Sequence, residues 1–215
     1  MDFAELVYKI FIKDGAWLTI LNGIWATVEI SALSLLFGTI LGAAICSMRV
    51  GKIVPLKIFA QVYISIIRGS PVLMLLMLLF YGVFARLNPI TVAVITFSLH
   101  TAAHVAELLR SSLMAVDTGQ VEAARTLGFS RWQAFKLVTL PQITRISKPV
   151  YQSTVINLIQ WTSVVGYVTI TDLTRVINNT AARTMQPMIT IIGGMLIYLA
   201  LSYAVHRIFQ FGDKK

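Results

Sequence analysis

Three side chains that could bind a metal ion recur along one predicted helix. His100, His104 and Glu107 are separated by four and three residues, a spacing that places them on one face of an α-helix. A metal centre in a helical bundle also needs a second helix that supplies its own carboxylate and histidine, and we find no such helix in the sequence. Polar packing inside a bundle is the favoured interpretation, and a metalloprotein that uses these three residues is the alternative.

A phosphate-binding loop is absent from the sequence. Its pattern, Gly-x-x-x-x-Gly-Lys-(Ser/Thr), does not occur, and the pair Gly51-Lys52 stands alone. The chain therefore cannot hydrolyse a nucleotide by itself. We predict no catalytic residue, no bound metal and no cofactor held by this chain, so any energy for active work must come from a partner.

The composition excludes an ordinary soluble domain. Of the 215 residues, 57% are hydrophobic and 13% are charged, and the mean hydropathy is +0.77, whereas soluble domains have about a quarter of their residues charged. Several apolar runs are long enough to cross a bilayer. We predict one all-α membrane domain over residues 1–215, with no linker or repeat. Its five predicted spans cover residues 17–48, 58–84, 90–116, 143–168 and 187–209.

The net charge of +9 is explained by the positive-inside rule, so nucleic acid is not a predicted partner. Five spans place the two termini on opposite sides, and the side with eleven basic residues is then cytoplasmic. Those residues are Arg49, Lys52, Lys57, Arg125, Arg131, Lys136, Arg145, Lys148, Arg207, Lys214 and Lys215. The other side has five, which are Lys9, Lys13, Arg86, Arg175 and Arg183. The N-terminus is therefore predicted outside and the C-terminus inside.

A polar interval, residues 118–141, separates the third and fourth spans. Gly128 predicts the end of one short helix through a positive φ angle, and Ser130 predicts the N-cap of a second. Pro141 is expected to stop that second helix. A DNA-binding helix-turn-helix or a plain polar loop could have the same sequence pattern. The apolar segments on both sides favour a helical hairpin beside a membrane.

This interval resembles the signature loop of permease subunits of ABC importers. The signature of that loop is Glu-Ala-Ala, three residues of any type, Gly and nine further residues of any type. An aliphatic residue, one residue of any type and Leu-Pro complete it. Its defined positions are matched by Glu122, Ala123, Ala124, Gly128, Val138, Leu140 and Pro141. In that family the loop is a cytoplasmic coupling helix that docks on the ATP-hydrolysing subunit. The resemblance implies the type I ABC importer permease fold.

Further motifs resemble the permeases for polar amino acids. They are Arg68-Gly69-Ser70-Pro71, the Ala-Glu-x-x-Arg segment that ends at Arg110, and Asp172-Leu173-Thr174. That family often has an acidic residue in the fourth span, where this chain has Trp161. The replacement puts in doubt a cation-binding carboxylate in this chain. We expect the substrate to be neutral or weakly polar, or to be held by a partner subunit.

Two more sets of residues are predicted to matter inside the spans. Ser153, Asn157 and Gln160 follow a helical spacing beside Trp161, so they could line a translocation path or form hydrogen bonds between helices. Arg68 and Glu107 lie ten or eleven residues beyond the predicted cytoplasmic edges of adjoining spans, which is about 15 Å at 1.5 Å per residue. We predict a structural ion pair between them that Arg110 could share.

The resemblance implies a set of partners. It implies an ABC ATPase dimer that binds ATP and Mg, a second identical or homologous permease subunit, and an extracytoplasmic binding protein that delivers an amino acid. The location implied is the inner, cytoplasmic membrane of a prokaryote, within its lipid bilayer. An ABC permease for another small solute and an intramembrane metalloprotein are the alternatives. A secondary transporter is disfavoured because the chain has no internal repeat.

Overall fold

The computed structural model describes residues 3–211, and its regular structure within that range is entirely helical. The all-α prediction is confirmed. Residues 1–2 and 212–215, including the predicted cytoplasmic Lys214 and Lys215, lie outside the described part. The α-helices are α1 Phe3–Phe11, α2 Ala16–Val50, α3 Val54–Gly69, α4 Val72–Met77, α5 Pro89–Met114, α6 Thr118–Thr126, α7 Arg131–Ala134, α8 Leu140–Trp161, α9 Leu173–Thr184 and α10 Pro187–Phe211.

Three single helices, α2, α5 and α10, are long and apolar enough to cross a membrane. A fourth crossing is formed if α3 and the segment Val72–Val83, which meet at an angle of 106°, count as one broken span. Among residues 3–211, α8 is long enough to cross a membrane but not apolar enough, because charged and amide side chains interrupt its sequence. The predicted fourth span also changes to a 3₁₀ segment at Thr162–Val168.

The break in the second predicted span lies at the Arg-Gly-Ser-Pro motif. Helix α3 ends at Gly69, and Pro71 precedes α4 with an extended backbone, φ −60° and ψ 130°. Proline has no N–H to continue a helix, and it disfavours helical geometry in the residue before it. The motif therefore ends α3 and turns the chain into α4.

The chain forms two compact units, and each long helix among α2, α5 and α8 contributes to both. The first unit comprises Met1–Leu36, Ser70–Ser98 and Val155–Lys215. Its main core contains Ile30, Leu76, Phe97 and Leu158, all fully buried. A second cluster packs Ile20 of α2 against the apolar face of α9.

The second unit comprises Phe37–Gly69 and Leu99–Thr154. Its core joins Ile45 of α2, Ile64 of α3 and Ala106 of α5. Gly42 of α2 lies against α5 so closely that a Cβ atom there would be 2.7 Å from Cβ of Val105. The absence of a side chain at Gly42 therefore lets α2 and α5 pack closely.

Pro141 does not end a helix, so that prediction was wrong. Helix α7 continues through a π-helical segment, Phe135–Thr139, directly into α8, and Pro141 occupies the first turn of α8. Proline has no N–H to donate to the preceding turn, so a continuous helix accommodates it where the hydrogen-bond register changes. The π segment shifts the hydrogen-bond register immediately before the proline and so lets the helix run on.

Candidate functional site

The first arm of the polar loop is helix α6, which begins at a side-chain cap. Oδ1 of Asp117 accepts a hydrogen bond from the backbone N–H of Gly119 at 2.9 Å, which satisfies one free donor of the first turn. Ala124 is buried within the second unit, whereas Glu122 and Ala123 are exposed. The face of α6 that carries Glu122 and Ala123 is thus available to a partner.

The turn after α6 depends on Gly128. Its φ is +91°, as predicted, and no heavy atom lies within 4 Å of where a Cβ would be. The requirement for glycine is therefore conformational and not one of space. Arg125 stabilises the turn, since its Nη1 donates to the carbonyl oxygen of Phe129 at 2.6 Å.

The second arm begins with the predicted cap at Ser130, which forms a capping box. Ser130 Oγ accepts from the backbone N–H of Gln133 at 3.2 Å, and the backbone N–H of Ser130 donates to Oε1 of Gln133 at 2.7 Å. Trp132 and Phe135 stack with ring centroids 5.6 Å apart. Trp132 is 68% exposed and Leu127 is 79% exposed, so the loop presents uncovered apolar side chains.

Gln142 joins the two ends of the loop. Its Oε1 accepts from the backbone N–H of Asp117 at 3.1 Å, and its Nε2 donates to Oε1 of Gln120 at 3.0 Å. Leu140 and Pro141, the last signature residues, are exposed in the first turn of α8. The arrangement is a clamped helical hairpin, in which Gln142 of α8 is hydrogen-bonded to Asp117 and Gln120 at the start of α6.

The candidate path residues lie on the uncovered side of α8. Ser153, Asn157 and Gln160 are all exposed, so this face is not buried by the described part of the chain. Trp161 is half-buried and packs against the main core of the first unit. A translocation path along this face and hydrogen bonds from it to another helix both stay predictions.

Gln160 also lines a groove of the first unit that sequence reasoning missed. The groove has a volume of about 580 Å³, and Asn178 of α9 and Ser202 of α10 line it together with apolar side chains of α10. Helix α9 buries Leu173, Val176, Ile177 and Thr180. Because these buried residues recur on one face of the helix, the sequence could have shown that Asn178 faces away from the core.

The three residues considered for a metal site do not converge. The His100 and His104 rings lie with centroids 4.9 Å apart, but the Glu107 carboxylate is bonded to Arg110. Its Oε1 accepts from Nε at 3.0 Å and from Nη2 at 2.5 Å. Within residues 3–211, no group of three or more His, Cys, Asp or Glu side chains could hold a metal ion. The metalloprotein alternative is therefore not favoured.

Arg68 lies in the same region as Glu107 but does not pair with it. Both residues line one cavity of the second unit, yet in the part of the chain described the ion pair within 4.0 Å is Glu107–Arg110. A pair three residues apart on one helix forms without any ordering between helices. The ion pair of Arg68 with Glu107 that the sequence predicted is therefore not formed among the described residues, where Arg110 takes that place.

The Asp-Leu-Thr segment forms a buried helix start. Asp172 is 0% exposed, and its carboxylate accepts from the backbone N–H groups of Thr174 at 3.0 Å and Arg175 at 3.1 Å. Thr174 Oγ1 and the Tyr198 hydroxyl are 2.9 Å apart. Burial raises the pKa of the Asp172 carboxyl above its ordinary value, although the backbone N–H groups act in the opposite direction.

A family model described as binding-protein-dependent transport system inner membrane component matches residues 34–215. The probable amino-acid ABC transporter permease protein YckA of Bacillus subtilis (strain 168) is 34% identical over 209 residues, 96% of this chain and 92% of the relative. The L-cystine transport system permease protein TcyB of the same organism is 34% identical over 84% of this chain and 78% of its own length. The octopine transport system permease protein OccM of Rhizobium radiobacter is 29% identical, and the match covers 90% of this chain and 84% of that protein.

The fold is similar to solved transporter structures. One, described as the crystal structure of an amino acid ABC transporter with histidines, has a TM-score of 0.86 at 26% identity and covers 100% of this chain and 98% of its own. An inward-facing MetNI methionine ABC transporter has a TM-score of 0.71 at 20% identity, and the match covers 93% of this chain and 98% of that chain. The second likeness supports the fold alone.

Proposed function

The chain belongs to the family of binding-protein-dependent transport system inner membrane components, and from that premise we propose that it is the permease subunit of an ATP-driven importer of polar amino acids. The relatives named as amino-acid, cystine and octopine permeases support the substrate class. Because the chain has no phosphate-binding loop, ATP hydrolysis is assigned to a partner, and the chain acts as the transport subunit.

The observation that carries the proposal is the clamped hairpin of α6 and α7. It offers the exposed Glu122 and Ala123 beside the uncovered Leu127 and Trp132. Exposed apolar side chains on a rigid polar loop are typical of a protein interaction site. We assign this surface to the ATPase subunit, with Glu122, Ala123, Ala124, Gly128, Leu140 and Pro141 as the coupling residues.

The transport cycle is alternating access. A binding protein delivers the amino acid outside, and ATP with Mg binds and is hydrolysed on an ATPase dimer inside. Closure of that dimer moves α6, and the Gln142 clamp passes the movement to α8. The exposed face of Ser153, Asn157 and Gln160 then lines a path completed by a second permease subunit, because polar groups in a bilayer need a wet cavity or a partner.

The proposed orientation places the loop and the C-terminus in the cytoplasm and the N-terminus outside. Eight of the eleven basic residues assigned to the cytoplasm fall in the second unit, which also contains the loop. They are Arg49, Lys52, Lys57, Arg125, Arg131, Lys136, Arg145 and Lys148. The five assigned to the outside fall in segments of the first unit, and so do the other three assigned to the cytoplasm. The orientation therefore rests on the count of eleven basic residues against five.

Co-purification with the ATPase tests the docking role of the loop. The tagged chain is expressed with its ATPase partner, in wild-type form and as Gly128→Val and Gly128→Asn. At a φ of +91°, a non-glycine residue costs about 1–2 kcal/mol, and asparagine tolerates positive φ far better than the β-branched valine. We expect the ATPase to remain with wild type and Gly128→Asn and to be lost or uncoupled from Gly128→Val. Wild-type retention and coupling in Gly128→Val would contradict the role.

A further inference from the structure

The link between α2 and α3 carries three basic side chains without a counter-charge. Arg49 lies in the last turn of α2, Lys52 in the link itself and Lys57 in the first turn of α3. None of them forms an ion pair within 4.0 Å among residues 3–211, and the sequence has no acidic residue from Ile30 to Ala106. A cation in the first turn of a helix is also disfavoured by the helix dipole, so helix stability does not explain Lys57.

The short link holds the three charges close together. Helix α2 closes with a hydrogen bond of 2.9 Å from the backbone N–H of Gly51 to the carbonyl oxygen of Ser47, and α3 begins three residues after Gly51. Arg49 and Lys57 therefore each lie within about one helical turn of the link, or about 5.4 Å along the axis. Nε of Arg49 is buried and has no hydrogen-bond partner in the described part of the chain, so an acceptor for this group has to come from outside it.

Uncovered apolar side chains alternate with these charges. Val50, Ile53, Val54 and Phe59 are 54–62% exposed. Such a mixture of basic and apolar side chains is typical of a membrane interface, where the apolar groups enter the acyl region and the charges stay at the level of the headgroups. Helix α2 is long and apolar enough to cross a membrane, so its last turn and the link belong at the bilayer surface.

We propose that the α2–α3 link is a binding site for the headgroup of an anionic phospholipid, such as phosphatidylglycerol, in the cytoplasmic leaflet. Phosphate oxygens accept hydrogen bonds from guanidinium and ammonium groups, so one phosphodiester supplies both an acceptor and the missing negative charge. The acyl chains of the same lipid cover the exposed apolar side chains, which a soluble phosphate would leave in water. A zwitterionic lipid brings its own cation and neutralises the link less well. The choice of leaflet rests on the orientation in the proposed function.

Fluorescence quenching beside the link tests this site. The complex of the chain with its ATPase and second permease subunit is placed in phosphatidylcholine nanodiscs, and a fluorophore is attached to Ser47→Cys in a Cys46→Ala background. Ser47 is exposed and lies one turn before Gly51, so the label is next to the link and replaces none of its basic residues. Nitroxide-labelled phosphatidylglycerol or phosphatidylcholine with the same acyl chains is then included at equal mole fraction. The two quenchers differ only in their headgroups.

We expect phosphatidylglycerol to quench several-fold more strongly than phosphatidylcholine. Lys52→Gln with Lys57→Gln should remove most of this preference, whereas Lys52→Arg with Lys57→Arg should keep it because the charges remain. Both lysines are exposed, so the fold should tolerate these changes. Arg86→Gln is the matched control, because Arg86 is an exposed basic residue of the first unit, and it should leave the preference unchanged.

Equal quenching by the two lipids would overturn the lipid site, and so would a preference that survives Lys52→Gln with Lys57→Gln. Co-purification of the ATPase with the same double variant addresses a protein occupant. Loss of the ATPase together with an unchanged lipid preference would assign the link to the ATPase and also overturn the proposal.

An uptake assay on the same complex separates the lipid site from the proposed function. If the complex imports amino acids and the two lipids quench equally, the lipid site is wrong and the proposed function stands. If phosphatidylglycerol is preferred and the complex imports no amino acid, the link binds anionic lipid and the proposed function fails. The nanodisc has the same lipids in both leaflets, so the quenching result does not depend on the orientation of the chain.

Discussion

Glu107 accepts two N–H groups from Arg110, one turn further along α5, and the two side chains are 25% and 27% exposed. Arg68 lines the same cavity as Glu107. Two cations, Arg110 and Arg68, therefore lie in the same region of the second unit as this one carboxylate. Removing that carboxylate should leave their repulsion unopposed.

The first prediction follows from this cluster. Glu107→Gln should lower the thermal stability of the purified protein, because the positive charges lose their opposing charge. Adding Arg110→Gln should restore more of the loss than adding Arg68→Gln, since the direct pair is with Arg110. Thermal unfolding of the single and double variants measures the coupling. Greater restoration by Arg68→Gln would instead support the ion pair predicted from the sequence.

The second prediction concerns the contact of α2 with α5. A Cβ at Gly42 would lie 2.7 Å from Cβ of Val105 and 2.9 Å from the carbonyl oxygen of Ala102. Gly42→Ala should therefore destabilise the protein by about 1–3 kcal/mol, as overpacking does. Gly82→Ala is the matched control, because its nearest neighbour would be 3.7 Å away. Equal melting temperatures for the two variants would show that the helices do not approach this closely.

The third prediction is a pH dependence that comes from Asp172. Burial raises the pKa of this carboxyl in the folded state, so the folded protein binds its proton more tightly than the unfolded chain does. The resulting stabilisation is complete below the ordinary pKa of 3.8 and is lost as the pH rises through the folded-state pKa. Asp172→Asn keeps an N-cap acceptor and removes this titration.

Melting temperatures of wild type and Asp172→Asn across acidic to neutral pH measure that effect. We expect the variant to gain relative to wild type as the pH rises, with the difference levelling off above the folded-state pKa. A difference that stays constant over the whole range would mean that Asp172 titrates normally in the folded protein.

The fourth prediction concerns substrate binding on α8. If its exposed face lines the path, Asn157→Ala and Trp161→Ala should raise the amino-acid concentration that gives half-maximal uptake. The first substitution removes a hydrogen-bonding group from the path, and the second removes a bulky side chain that would contact the substrate. Asn179→Ala, exposed on α9, is the control for a general effect on the fold. An unchanged concentration dependence in both α8 variants would assign the pocket to the partner subunit.

Local features of the loop could be predicted from the sequence because they depend on neighbouring residues. The positive φ of Gly128 and the cap at Ser130 are both present, since each is decided within about four residues. The effect of Pro141 could not be predicted in the same way. It depends on a π-helical register set by Phe135–Thr139, and that register leaves no simple sequence pattern.

Long-range partners were less predictable than local ones. Depth along two helices suggested that Arg68 meets Glu107, but depth alone does not define which way each side chain turns. The structure pairs Glu107 with Arg110 on its own helix. The groove that joins Gln160 with Asn178 and Ser202 depends on packing between three helices, which a single sequence does not specify.

ATP-dependent uptake into proteoliposomes tests the central claim most directly. The chain is reconstituted with its ATPase, second permease subunit and binding protein, and radiolabelled amino acids are offered one at a time on the binding-protein side. We expect uptake of a neutral or weakly polar amino acid that requires ATP and Mg on the ATPase side and persists when ion gradients are collapsed. Uptake that proceeds without ATP and follows an ion gradient, or no uptake of any amino acid by the intact complex, would contradict the account.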